Sequence, residues 1–348
     1  MTKRYKYLSI ITLLLAGVGV LSCIDPVGLP IRQVEPRLVV EGLITNEPPP
    51  YVIRLSYSGA FSSTNPTPDE LVVQGARVTI AEEGGRTVTL EQDPLTPTYY
   101  WMRDTTFRGQ VGRRYALRVE LPDGTRYVTA PELLAEVPPI ERLYAEFRQQ
   151  PEGSREPDHY QVLLDTNDPP VRGNYYRWSG YGYVPHRSTG ERLGFAGICC
   201  NWCWIPIYAP PTNVLSDALV NGNRLSRVPV LSSPIYTVGR HYLEIRQYSL
   251  SREAYQFWRR FEEQRQRTGS LFDPQPASIE GNLHREDQPE RIALGYFGAS
   301  AVSKARLEVP GDTLSVHRYQ LRYGDLFTPE GNCLRLFPQS RLSPPSPW

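Results

Sequence analysis

The residues with the plainest chemistry are the five cysteines. Cys23 closes Val20-Leu21-Ser22-Cys23, an apolar run ending in a small residue and then a thiol. That pattern predicts cleavage before Cys23 and fatty acylation of its sulfur. The other four are Cys199, Cys200, Cys203 and Cys333. An even number of thiols in an exported chain predicts two disulfides. A bond between adjacent residues is geometrically awkward, so Cys333 is expected to pair with Cys199 or Cys200, with Cys203 taking the other. The alternative is a zinc site, because Cys200 and Cys203 have the two-residue spacing zinc ligands use. Cys333 stands alone where a second pair is needed.

Other reactive side chains form no recognisable constellation. His159, His186, His241, His284 and His317 are widely separated, and none lies in a His-Glu-x-x-His arrangement. There is no Gly-x-Ser-x-Gly elbow and no glycine-rich phosphate loop after a strand. Asp165 and Asp168 sit close enough to suggest a calcium loop, but aspartates before Pro169-Pro170 more commonly cap turns. The expectation is a protein that is not an enzyme and carries no cofactor. Aromatic residues concentrate between Tyr175 and Tyr208. Tyr181, Tyr183, Trp202 and Trp204 are the candidate binding residues, since such rings offer large rigid faces for sugars or peptides. The competing reading places them in a core around the disulfides.

These residues need a scaffold, and composition indicates its class. With 33 Pro, 27 Gly and 22 Tyr in 348 residues, the chain favours β-structure with many turns. Net charge is +1, which gives no field to hold nucleic acid. Lys3, Arg4 and Lys6 precede an uncharged run from Tyr7 to Val20 that is short of the about 20 residues a spanning helix needs. Residues 1–22 therefore read as a lipoprotein signal peptide. Residues 23–36, with Pro26, Pro30 and Pro36, read as a tether from the lipid anchor. The expected location is the outer membrane, with Ile24-Asp25-Pro26 leaving the periplasmic and cell-surface faces both open.

Short alternating strands, including Tyr51, Ile53 and Leu55 on one face and Tyr115, Leu117, Val119 and Leu121 on another, predict an immunoglobulin-like β-sandwich over 37–137. Val137-Pro138-Pro139 marks a boundary, and 140–340 reads as a second β-rich domain. It carries one helix near 252–267. Ser251 caps that helix, Ala254, Phe257, Trp258 and Phe261 form its apolar stripe, and Gly269 is positioned to end it.

Three stretches, Ser249 to Trp258, Gly269 to Asn282 and Leu294 to Ser300, resemble the Bacteroidetes outer-membrane lipoproteins catalogued as domain of unknown function 4249. Leu38 to Thr45, Gly112 to Leu117 and the Asp123-Gly124 turn agree with it, as does Cys23. The resemblance implies a β-rich envelope protein, often encoded beside a TonB-dependent outer-membrane receptor, with no established activity. Two functions follow as expectations. One is a non-catalytic ligand-binding or accessory partner of such a receptor, and the other a structural or adhesive envelope protein with no transport role.

Overall fold

The computed structural model describes residues 35–59, 71–194, 197–210, 213–266, 279–311 and 328–346. Cys23, the signal peptide and nearly all of the 23–36 tether lie outside the described residues, as do His317 and Gly269. The described chain is mainly β, with one substantial helix.

Eight strands come first: β1 (Leu38–Thr45), β2 (Tyr51–Tyr57), β3 (Arg77–Glu82), β4 (Thr87–Gln92), β5 (Tyr99–Met102), β6 (Arg114–Glu120), β7 (Arg126–Thr129) and β8 (Glu132–Leu133). Alternation drives them. Tyr51, Ile53 and Leu55 on β2 and Tyr115, Leu117 and Val119 on β6 are buried, while Arg54, Arg114 and Arg118 point to solvent. That is the period of a half-buried strand.

In order follow β9 (Ile140–Arg148), β10 (His159–Asn167), β11 (Tyr175–Arg187), β12 (Glu191–Arg192), β13 (Ile198–Cys199), β14 (Trp202–Tyr208), β15 (Asn213–Ser216), β16 (Arg224–Pro234) and β17 (His241–Leu250). Helix α1 (Arg252–Arg265) comes next, then β18 (Glu280–Arg285), β19 (Ile292–Ser300), β20 (Val302–Val309) and the single turn α2 (Cys333–Leu336).

In place of the two separate sheets expected for an immunoglobulin-like sandwich over 37–137, one sheet closes on itself. Its order among the described residues is β3-β4-β5-β2-β1-β19-β18-β7-β6, and β3 pairs with β6 to complete the ring. Closure removes the free edges that a sandwich must protect. The ring draws on chain from both sides of Val137–Pro139. β19 lies parallel to β1, with Val39 to Thr45 opposite Leu294 to Ser300. Its interior is packed with Val40, Ile53, Val78, Ile80, Leu117 and Phe297, each 0% exposed.

Most of the remaining strands form two facing layers, while β12 and β13 pair with each other and β8 pairs with β6. β10 lies between β9 and β16, and β11 lies between β14 and β17, with β20 beyond β17. One core, including Val162, Leu164, Trp178, Leu243 and Ile245, joins the layers. His241 is buried in this core. Its Nδ1 is 2.7 Å from Ser233 Oγ, and its ring meets Tyr160 edge-on.

Burial pushes the His241 pKa down to about 3 from 6.5. The folded state therefore keeps this ring neutral where the unfolded chain takes up a proton. Stability from this group is complete above 6.5 and is lost as pH falls toward the folded value. By about pH 5 the loss is roughly 2 kcal/mol. Urea midpoints at about pH 7.5 and about pH 5 check it. His241→Gln should be the less stable protein at the higher pH but show the smaller drop between the two.

Helix α1 forms as its sequence predicts. Ser251 Oγ accepts from the Ala254 N–H at 3.1 Å, Glu253 sits in the first turn, and Ala254 and Phe257 are buried. Phe257 packs on Tyr296 of β19 with ring centroids 5.1 Å apart, which brings the helix to the outside of the ring.

Candidate functional site

The four cysteines among the described residues are all engaged. Cys203 bonds to Cys333 and Cys199 to its neighbour Cys200. The expected pairing of Cys333 with Cys199 or Cys200 is therefore not the one formed. Cys203 faces inward from β14, where Cys333 on α2 packs against it, and both are 0% exposed. Cys200 has a left-handed backbone, φ 60°, at the turn where the adjacent thiols meet. With the four sulfurs paired, none is left to ligate zinc as thiolate.

Asp165 accepts from the Arg227 N–H at 2.8 Å and from Arg224 at 3.1 Å, which holds its pKa below the usual carboxylate range. Asp168 accepts from Tyr176 and from the Gly222 N–H. Both aspartates lock loops, and no group of acids, histidines or cysteines suited to a metal occurs among the described residues. The Ser233–His241 contact is fully buried, so a substrate cannot reach it.

Tyr181, Tyr183, Trp202 and Trp204 share one face. Tyr181 and Tyr183 stand opposite Tyr208 and Pro206, while Pro185 and Arg187 stand opposite Trp204 and Trp202. The other face of the same strands carries Val184, Cys203 and Ile205 into a small core. All four rings are half-buried, and Tyr208 beside them is exposed. Arg341 lies across this face, its guanidinium 5.4 Å from the Tyr183 ring and its backbone bridged to Trp204. The aromatic stretch thus divides by strand face, with Tyr176 and Trp178 in the core and these four outside it.

The same outward face of β11 carries Arg177 into a different setting. A cavity of about 750 Å³ lies between α1 and the outer surface of the ring. Val39, Leu43 and Val52 form the ring wall, and Phe257, Trp258 and Phe261 the helix wall. Pockets of this size and character suit small-molecule ligands. Arg177 meets Trp258 and Tyr248 there, with its guanidinium 4.3 Å and 5.1 Å from their ring centroids. Its Nε is buried and has no hydrogen-bond partner among the described residues. Burial pulls its pKa below the ordinary value, but a guanidinium begins so far above neutrality that it remains charged.

Neighbouring cations differ. Arg246 bridges Glu244 at 2.9 Å and Glu47 at 3.1 Å, Arg306 holds Glu244 at 2.8 Å, and Arg54 at the rim reaches Glu41 at 3.5 Å. Among the described residues no carboxylate pairs with Arg177. The sequence reading missed this site. A sign of it is present in β1, whose outward face carries the apolar Val39 and Leu43 on either side of Glu41 where a solvated face needs more polar residues.

No curated protein matches the chain. A solved structure described as "Complete structure of manganese lipoxygenase of Gaeumannomyces graminis and partial structure of zonadhesin of Komagataella pastoris" is 11% identical, with 64% of this chain and 91% of that chain covered. Its TM-score of 0.16 carries no argument about fold or activity. The family model described as Domain of unknown function (DUF4249) matches residues 24–306, which takes in the ring, both facing layers and the helix that walls the cavity. The chain belongs to that family.

Proposed function

We propose that this is a non-catalytic outer-membrane lipoprotein of the Bacteroidetes type, held by acyl chains on Cys23, that binds a ligand as a partner of a TonB-dependent receptor. The observation that carries the binding role is the apolar cavity between α1 and the ring, with a guanidinium in its wall that no carboxylate pairs with among the described residues. A purely structural or adhesive protein has no need to keep that space open, because unfilled apolar volume is destabilising. The anchor is supported by the run ending at Cys23 and by the resemblance in the family's characteristic stretches. Each buried methylene contributes about 0.8 kcal/mol, so more than one acyl chain holds a protein stably at a membrane.

Affinity purification from native membranes in mild detergent tests the partner. A TonB-dependent receptor is expected to come down in stoichiometric amount with the wild-type chain. Its absence there supports the structural or adhesive alternative.

A further inference from the structure

We infer that the cavity beside α1 selects an amphiphile with a carboxylate head and an aliphatic tail, such as a free fatty acid, and that Arg177 is the residue that reads the head. This rests on the cavity being a ligand site. Val39, Leu43, Val52, Phe257 and Phe261 give a hydrocarbon chain carbon to touch, while the charged Glu41 and Arg54 of the same lining are paired with each other. An apolar tail leaving water for such a surface is favourable in proportion to the area it hides.

The head group follows from charge. A buried guanidinium without an acid is costly, and structures rarely leave one so. One and two rows along the same sheet face, Arg246 and Arg306 have Glu244, and Arg246 also has Glu47. Arg177 has two aromatic faces instead. Those rings stabilise the cation without accepting its N–H groups in hydrogen bonds, which leaves them to donate to a ligand. A guanidinium edge matches the two oxygens of a carboxylate, and one positive charge neutralises one negative charge. A phosphate monoester brings close to two negative charges and would leave part of that charge uncompensated in an apolar cleft.

The test uses the whole mature chain and the uncharged fluorophore N-phenylnaphthylamine, displaced by dodecanoate, by methyl dodecanoate and by dodecyl phosphate below their micelle concentrations. Dodecanoate is expected to displace the probe at a concentration about tenfold to hundredfold lower than its methyl ester, the range for a hydrogen bond between charged groups. In Arg177→Met that preference should vanish while the probe still binds.

Equal competition by acid and ester in the wild type overturns the carboxylate assignment and leaves the cavity as a ligand site. Stronger displacement by dodecyl phosphate also overturns the head-group assignment. If the probe fails to bind the wild type at all, the cavity reading falls and the inference with it. If Arg177→Met no longer binds the probe, the wild-type comparison of acid with ester decides alone, and Arg177→Lys should retain a reduced preference.

Discussion

Gly281→Ala is expected to remove more than about 4 kcal/mol of stability, or to prevent folding altogether. The reason is contact between main chains. A Cβ at Gly281 would stand 1.8 Å from the carbonyl oxygen of Gly295, an atom that cannot move without breaking the β18–β19 pairing. Gly295 is itself pressed on β1, where a Cβ would lie 2.1 Å from the Val40 carbonyl oxygen, and its φ of +81° is left-handed. The joint between β18, β19 and β1 is thus built on two glycines at successive contacts.

Asn282 secures the joint. Its Nδ2 donates to the Phe297 carbonyl at 2.7 Å and to Glu132 at 3.1 Å, and its Oδ1 accepts from the Phe297 N–H at 3.0 Å. Gly112→Ala is the control, since φ there is +86° but open space surrounds the new methyl group. Backbone strain alone should cost it only about 1–3 kcal/mol. Urea unfolding followed by tryptophan fluorescence compares the two variants, and equal losses would remove the close approach as the cause.

Replacing Cys203 and Cys333 together by alanine is expected to cost about 5 kcal/mol, the chain-entropy value for a loop of this length. The bond spans 130 residues and fixes the single turn α2 to the inner face of β14. Cys199 and Cys200 are adjacent, so their bond closes no loop and should contribute almost nothing by that route. Denaturation of the two double variants, each beside the unmodified protein, separates the contributions. Similar midpoints for both variants would contradict the assignment of the long-range bond as the stabilising one.

Where an element depends on its own residues, the sequence is a good guide to it. The inward faces of β2 and β6, the Asp123-Gly124 turn and the Ser251 cap of α1 all form as local pattern predicts. Pairing partners are another matter. Val39 to Thr45 meet residues some 250 positions later, and nothing in the alternation of either strand specifies the other. The immunoglobulin-like expectation fails at this point, because strand rhythm is the same for an open sandwich and a closed ring.

The cysteines fail for a related reason. Which sulfurs meet depends on where α2 returns to β14. Arg177 was hidden by its neighbours: in an aromatic run it reads as one more surface arginine. Only the placement of Tyr248 and Trp258 against it reveals a charge that no acid pairs with among the described residues. Tyr181, Tyr183, Trp202 and Trp204 were visible as an aromatic group, and the strand register puts them together on one face. They lie away from the cavity wall.

Titration of the mature protein with N-phenylnaphthylamine, beside a Val52→Trp variant that narrows the cavity from the ring side, tests most directly whether the space against α1 is a binding site. Saturable one-to-one binding with blue-shifted emission is predicted for the wild type, with at least a tenfold loss in Val52→Trp at an unchanged unfolding midpoint (about 1.4 kcal/mol). Probe binding that is unsaturable, or identical in the two proteins, would contradict it.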